Sequence, residues 1–399
     1  MKRVVIAGGG YAGLRAVERL ADSEDLEPVL VDANSYHFMQ TEVYGYIAGT
    51  KEIDEIAIDL DLWCRGFERP VRFVKDRIVG LDPRRRVLAL ANGELEYDYL
   101  IIATGARTKF PKSIKGLRER SFGIKRLGRS FGFHHKFEEV VKKRLEGESG
   151  RVNIAVVGAG LSGVEVAAEM GYMLKRYKKV LGARADDIEI TLIDACDTIL
   201  PGMDPFLIGA AADRLKKLGV SLKVSALIES VEESAILFEN GDRMEYGFII
   251  FTGGITANSD FTPKSFEKNG MGQLIVTPFL NIDGHEEIYA VGDAAQIEDP
   301  HGRPLPPTAQ IAEKSAEYAA KSIIKSLRGS KREPFRGRLD GMFIALGGRY
   351  AAAEIFGFRF SGVGAYYMKR MVTLIYFLGI DLRANAGYRV RSSGRPTDV

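Results

Sequence analysis

Arg3-Val4-Val5-Ile6-Ala7-Gly8-Gly9-Gly10-Tyr11-Ala12-Gly13-Leu14 opens the chain with a short apolar run that stops abruptly in glycines. An unbroken apolar run of this length suits a strand buried on both faces. Leu14, Val17 and Leu20 then recur at helical spacing, so the stretch predicts a strand, a tight turn and a helix. The next apolar run, Pro28 to Val31, ends on Asp32, 19 residues beyond Gly13. Glycines at 8, 10 and 13 with an acid at the second strand end complete a dinucleotide-binding pattern. The first allows the tight turn, the second lets the backbone approach a pyrophosphate, the third packs the helix closely, and the carboxylate meets ribose hydroxyls. Unpaired N–H groups and the positive dipole end at the helix start suit the phosphates. A solvated strand-end acid and an ordinary structural turn are the bland alternatives.

The same grammar returns further on. Val152 to Val157 is an apolar run that leads into Gly158-Ala159-Gly160-Leu161-Ser162-Gly163, and Val164, Ala167, Ala168 and Met170 continue as a helix. A strand over Ile188 to Ile193 ends on Asp194. Two such units imply two dinucleotides, one donating to the other. Asp194 is followed by Ala195 and Cys196 with no arginine, so a 2′-phosphate would meet a carboxylate without a cation, which favours NADH over NADPH. Tyr99 to Ala103 forms an apolar strand entering Thr104-Gly105. Val231 to Gly241 and then Tyr246 to Thr252 repeat that hairpin-and-strand order before Gly253-Gly254. Ile288 to Val291 leads into Gly292-Asp293-Ala294-Ala295, and a helix is predicted from about Thr308 to Leu327. Beyond about residue 330 the chain reads as a basic tail rich in glycine and aromatic residues.

At 399 residues, with 46% hydrophobic and 27% charged residues, the chain is sized for two or three globular domains. No run of about 18 apolar residues occurs, which argues against a spanning helix. A net charge of +3 is too small to argue for nucleic acid. Met1-Lys2-Arg3 and the strand after it lack the pattern of a signal peptide, which points to the cytoplasm. Cys64 and Cys196 form no C-x-x-C pair and are expected to be buried thiols. The five histidines make no ligand set, so no metal is expected. His37 is expected in a packed loop, with lining of the flavin approach as the other reading.

The first fingerprint, Ala103-Thr104-Gly105 and Gly292-Asp293-Ala294-Ala295 together resemble the two-dinucleotide-binding-domain flavoproteins of the pyridine nucleotide-disulfide oxidoreductase superfamily. This resemblance implies an α/β fold with two Rossmann-like domains. FAD, non-covalently held, falls to Gly8, Gly10, Tyr11, Ala12, Gly13, Asp32, Ala103, Thr104, Gly105, Gly292, Asp293, Ala309 and Gln310. NADH falls to Gly158, Gly160, Leu161, Ser162, Gly163, Glu165, Asp194, Gly253 and Gly254. The implied division is 1–112 with 268–330 for FAD, 113–267 for NAD(H), and 331–399 as a membrane-anchoring or dimerising segment.

Within the superfamily, three segments resemble type II NADH dehydrogenases, single-chain NADH:quinone oxidoreductases that do not pump protons. They are Gly163-Val164-Glu165, Thr252-Gly253-Gly254-Ile255-Thr256-Ala257-Asn258, and Thr308-Ala309-Gln310-Ile311-Ala312-Glu313-Lys314. The resemblance makes Glu165 a carboxylate near the nicotinamide and flavin, and Gln310 and Lys314 acceptor-side residues. Lys314 replaces a glutamine of the family's A-Q-x-A-x-Q pattern and donates where glutamine also accepts. It stands either as a stabiliser of negative charge or as an exposed helix lysine; Glu165 has the alternative of a helix-start acid.

From Phe360 onward, Tyr, Phe and Leu alternate with Arg359, Lys369, Arg370, Arg383, Arg389, Arg391 and Arg395. Its longest apolar part, about ten residues, is too short to span, so it suits a helix lying on an anionic membrane at the inner face of the cell membrane. Core packing or a homodimer is the other reading. A sulfide:quinone oxidoreductase would need redox cysteines beside the flavin, and none lies between Gly105 and Asp194 or after Cys196. An NADH-sensing flavoprotein of the apoptosis-inducing-factor kind and a soluble reductase for a ferredoxin or rubredoxin complete the alternatives.

Overall fold

The opening run forms the strand Lys2–Ala7, whose residues Val4, Val5, Ile6 and Ala7 are fully buried. Burial on both faces requires cover on both sides, and the strand sits inside a six-stranded sheet. In spatial order the strands are Asn281–Ile282, His285–Ala290, Tyr99–Ile102, Lys2–Ala7, Leu26–Asp32 and Arg72–Lys75, parallel except for the first. Helix Tyr11–Leu20 follows the glycine turn and packs along helix Ala309–Leu327. Arg15 reaches Glu313 at 3.0 Å and Arg19 reaches Glu317 at 3.1 Å across that seam. The computed structural model describes residues 1–148, 150–182 and 186–393.

The second unit builds a five-stranded parallel sheet in the order Ser121–Gly123, Phe248–Phe251, Val152–Val157, Ile188–Ile193 and Val220–Lys223. Each unit carries a three-stranded antiparallel meander, over 78–96 in the first and 228–245 in the second. The chain crosses between the sheets on Ala106–Thr108 and returns on Ile255–Ala257, which pair antiparallel. The strand ends that bear the glycine turns lead towards this crossing.

Three expectations are corrected here. The segment read as a basic tail rich in glycine and aromatic residues, with no strand assigned to it, contains an antiparallel sheet, Gly341–Ala345, Ala351–Ile355 and Phe358–Gly362. Its alanine-rich middle strand, with Ala351, Ala352 and Ala353 fully buried, carries a single β-branched residue, Ile355 at its end, and so gives a weak strand signal. Phe360 to Gly362 therefore belong to that sheet, and the helix begins at Val363 and runs to Ser393. Among the described residues, no helix is long and apolar enough to cross a membrane. Cys196 is exposed, whereas Cys64 is buried as expected, because Asp194-Ala195-Cys196 continues past the strand end into a surface turn.

The C-terminal helix is fastened at close range to helix Leu60–Arg65. A Cβ on Gly387 would lie 1.8 Å from the Leu62 carbonyl, and one on Gly66 would lie 1.9 Å from that of Arg383. The Arg383 guanidinium lies 4.0 Å from the ring centroid of Phe67, and Ile380 and Ala384 are buried.

Candidate functional site

The two glycine turns are built alike. Gly8 has φ +114° and its Cβ would meet the Ala103 carbonyl at 2.4 Å; Gly158 has φ +105° and its Cβ would meet Gly253 Cα at 2.5 Å. Gly13 and Gly163 each leave 1.8 Å between a Cβ and the carbonyl of the first glycine. No larger residue fits these four places. Gly10 and Gly160 differ: a Cβ on either meets nothing within 4 Å. They face open space, as a pyrophosphate cradle requires. They also N-cap helices Tyr11–Leu20 and Leu161–Leu181, and neither start has a side-chain cap or an acid in its first turn. The first N–H donors of both helices are left for a ligand.

The acids behind the turns do more than their spacing suggested. Asp32 accepts from Gly9 N and Asn34 N, both at 2.7 Å. Asp194 accepts from Ala159 N and, at 2.8 Å, from Cys196 N. Each carboxylate braces its own glycine turn, and with about four lone-pair sites it retains capacity for a ribose diol.

The remaining residues proposed for the first dinucleotide gather at the same turn. Ala103 abuts Gly8, and a Cβ on Gly292 would touch Ala312 at 3.1 Å and Ala12 at 3.4 Å. Thr104 Oγ1 donates to Asn258 O at 2.7 Å, and Asn258 Nδ2 donates to Thr104 O at 2.9 Å. Gly105 has φ +63° with open space beside it. Asp293 lies 3.7 Å from Lys125. At the second turn, Thr252 Oγ1 donates to Gly158 O at 2.7 Å, which seats Gly253 and Gly254 beside the cradle.

Ala309 and Gln310 start the helix capped by Thr308, whose Oγ1 accepts from Ile311 N at 3.3 Å. Gln310 Oε1 accepts from Asp340 N at 2.8 Å, and Lys314 Nζ contacts the Asp340 carboxylate at 2.6 Å. Lys314 is thus not a free surface lysine; it and Gln310 tie down the segment that enters the C-terminal sheet. Among the described residues no hydrogen bond or ion pair joins either one to Glu165.

Glu165 lies elsewhere, in a buried charged cluster. One helical turn separates it from Glu169, so both carboxylates leave the same face of helix Leu161–Leu181. Glu165 accepts from Ala345 N at 3.0 Å and Glu169 from Gly348 N at 3.1 Å, which caps the end of strand Gly341–Ala345. Lys369, from the C-terminal helix, lies 3.6 Å from Glu165, 3.5 Å from Glu42 and 3.3 Å from Tyr44 Oη. Its side chain is only 12% exposed, which corrects its reading as a lipid-facing cation. Lys51 meets Glu42 at 2.6 Å and Thr373 donates to Glu42 at 3.1 Å.

Burial, opposed by Lys369 and the Ala345 N–H, pushes the Glu165 carboxyl up to about 7. Burial also acts against the charge of Glu42, but Lys369 and Lys51 outweigh it and hold that carboxyl below its usual range. For Lys369, the surrounding Tyr44, Glu165 and Glu42 overcome burial and raise it well above the ordinary lysine value. A cavity of about 350 Å³ opens on this cluster, lined by Glu42, Lys51, Glu169, Lys369, Thr373 and Phe377 among others.

His37 is in the short strand Tyr36–Phe38, not a loop, and is completely buried. Its Nδ1 lies 2.9 Å from Gly9 O; a carbonyl only accepts, so Nδ1 carries the proton and Nε2 accepts from Tyr376 Oη at 3.1 Å. Burial, opposed by that carbonyl, lowers the ring to about 4. Sequence reasoning found the glycine turns and took Lys369 only as a flanking cation; it missed Glu42, Tyr44, Lys51, Glu169 and Tyr376. The inward spacing of Lys369, Thr373 and Tyr376 on one helix face was the available signal.

A model of the pyridine nucleotide-disulphide oxidoreductase family matches residues 2–316. The chain belongs to this family. Among curated proteins, this member of the pyridine nucleotide-disulphide oxidoreductases is similar to the type II NADH:quinone oxidoreductase of Staphylococcus haemolyticus, 27% identical over 384 residues that cover 93% of this chain and 94% of that protein. A Staphylococcus epidermidis protein of the same name is 27% identical over 391 residues, covering 95% and 96%. Among solved structures, NDH2 of Plasmodium falciparum in complex with NADH superposes with a TM-score of 0.85 at 17% identity, covering both chains fully. The sulfide:quinone oxidoreductase of Aquifex aeolicus gives 0.80 at 19%, covering 96% of this chain and 92% of that one. At these identities the two structures share the fold. Despite the family's name, both cysteines of this chain are free thiols, one in the core and one on the surface.

Proposed function

We propose that this protein is an NADH:quinone oxidoreductase of the type II kind, moving two electrons from NADH through a non-covalent FAD to a membrane quinone. The observation that carries it is the cavity between the second-fingerprint helix and the C-terminal helix, lined by Glu169 and Lys369, with Glu165 reached through Lys369 at 3.6 Å. The first turn, with Asp32, Ala103 to Gly105, Gly292-Asp293 and Ala309-Gln310, holds FAD; the second, with Asp194 and Gly253-Gly254, holds NADH. Residues 1–112 with 268–330 form the FAD domain, 113–267 the NAD(H) domain, and 331–399 the membrane-facing part. When bound, the flavin supplies hydride acceptance from a nicotinamide and electron delivery to a quinone. The overall change, NADH + H⁺ + quinone → NAD⁺ + quinol, takes up one proton from water. Glu165, whose carboxyl titrates near neutral pH, is the group suited to relay it.

The outer face of the C-terminal helix supports a peripheral membrane seat. Met371, Val372, Leu374, Ile375 and Leu378 are exposed, as are Phe356 and Phe358 on the adjoining hairpin at 71% and 76%. Apolar residues in this density flanked by basic ones suit the headgroup layer of an anionic leaflet at the inner face of the cell membrane. Arg359 pairs with Asp204 at 2.7 Å and Arg383 stacks on Phe67, so those two cations serve the fold more than the lipid. Arg389 and Arg391 continue the helix, and Arg395 lies outside the described residues. Replacing Ile375 and Leu378 together with glutamate is expected to abolish co-sedimentation with anionic vesicles while NADH still bleaches the flavin; retained sedimentation would turn the face over to a second copy of the chain.

The deciding experiment adds NADH anaerobically to the flavin-loaded protein and then a short-chain quinone. Bleaching followed by fast reoxidation supports the reading. Bleaching without reoxidation removes the quinone and brings forward a protein acceptor or an NADH-sensing role; no bleaching removes NADH. A sulfide:quinone reaction is disfavoured because Cys64 is buried within helix Leu60–Arg65 and Cys196 is a surface thiol beside Asp194.

A further inference from the structure

Lys369 is shared. Its ammonium stands 3.6 Å from Glu165 and 3.5 Å from Glu42, with Tyr44 Oη at 3.3 Å. Glu42 in turn is held by Lys51 at 2.6 Å and by Thr373 at 3.1 Å. Three elements distant in sequence thus meet at one buried cation: the segment Gln40–Ala48, the second-fingerprint helix and the C-terminal helix. Glu42 is 4% exposed at its side chain, so its charge is screened by little water. The groups facing Glu165 are Glu169 on its own helix, Glu42 and Tyr44 from 40–48, the Ala345 N–H, and Lys369.

Two carboxylates that share one ammonium compete for it. The one with a second cation is held as the anion, and the other keeps a higher affinity for a proton. Glu42 has that second cation, Lys51; among the described residues no second ion pair reaches Glu165. We propose that Glu42 is a positioning residue: by drawing Lys369 away from Glu165 it keeps Glu165 a proton carrier at neutral pH. For its effect on turnover this rests on the NADH:quinone reading; for its effect on Glu165 it does not.

The test is an infrared pH titration of the carboxylic-acid C=O band that Glu165→Gln removes, made on the flavin-loaded full chain. In Glu42→Gln, Glu165 gains Lys369 and loses a neighbouring anion, so its midpoint is expected to fall by about one pH unit. In Lys51→Met, Glu42 leans harder on Lys369, and the midpoint is expected to rise. Opposite shifts support the proposal, and Glu42→Asp, which restores a carboxylate, should return the midpoint towards wild type. An unchanged or raised midpoint in Glu42→Gln overturns it. If Glu42→Gln does not fold, Lys51→Met decides, a rise supporting the proposal and any other result overturning it. If the shifts occur but quinone fails to reoxidise the flavin, the acceptor reading falls and the role of Glu42 stands.

Discussion

Gly10→Val is expected to yield a folded protein without flavin, and Gly160→Val a yellow protein that NADH no longer bleaches. Gly10 has φ −86° and ψ −168°, and Gly160 has φ −68° and ψ −175°, extended conformations that valine adopts readily. Neither Cβ meets protein within 4 Å. The new side chains therefore cost the fold little and occupy only the space over the helix starts. Three charge-assisted N–H bonds, at about 1.5–3 kcal/mol each, correspond to at least about a thousandfold in affinity. Flavin absorbance per chain and the anaerobic NADH response read the two losses separately, with circular dichroism reporting the fold. A Gly10→Val protein that keeps stoichiometric flavin would remove the first turn as the FAD cradle, and crossed losses would exchange the two assignments. Gly8 and Gly13 lack such freedom, since a Cβ there meets a carbonyl at 2.4 and 1.8 Å.

Glu165→Gln is expected to slow reoxidation by quinone about a hundredfold, the lower end for losing a positioned proton carrier, while NADH bleaching changes far less. Glutamine keeps the shape and can still accept from Ala345 N, so the loss isolates the proton. The pH dependence has a definite sign. Glu165 is raised to about 7, so it holds its proton below that value and loses it above. Quinone reduction that draws on this proton falls as pH rises through 7, and in Glu165→Gln the profile should be flat across that window. Stopped-flow reoxidation from pH 5 to about 9 covers both sides of the transition. Equal slowing of bleaching and reoxidation would make Glu165 a general support of the site instead.

Both predictions depend on features of different legibility. The turns at 8–13 and 158–163 were readable because glycine spacing, strand run and helix period are imposed by neighbouring residues on one another. Asp32 and Asp194 were readable as strand-end acids, but their hydrogen bonds to Gly9 and Ala159 were not, since that brace exists only once parallel strands bring the second strand end beside the first turn. Lys314 was legible as a departure from a motif. Its partner Asp340, on the segment entering an unforeseen sheet, was not.

The sequence by itself determined two strand–turn–helix units, an α/β fold around them, and a C-terminal helix without enough apolar length to span a bilayer. Only the tertiary structure decided which face of that helix turns inward, and so that Lys369 joins Glu165 and Glu42 instead of meeting lipid. Helical spacing sorts residues onto faces but carries no record of what covers them. Thr373 and Glu42 are 331 residues apart in the chain. A contact of that separation is set by how whole elements pack, and the proton affinity of Glu165 follows from the burial and charges that this packing assembles.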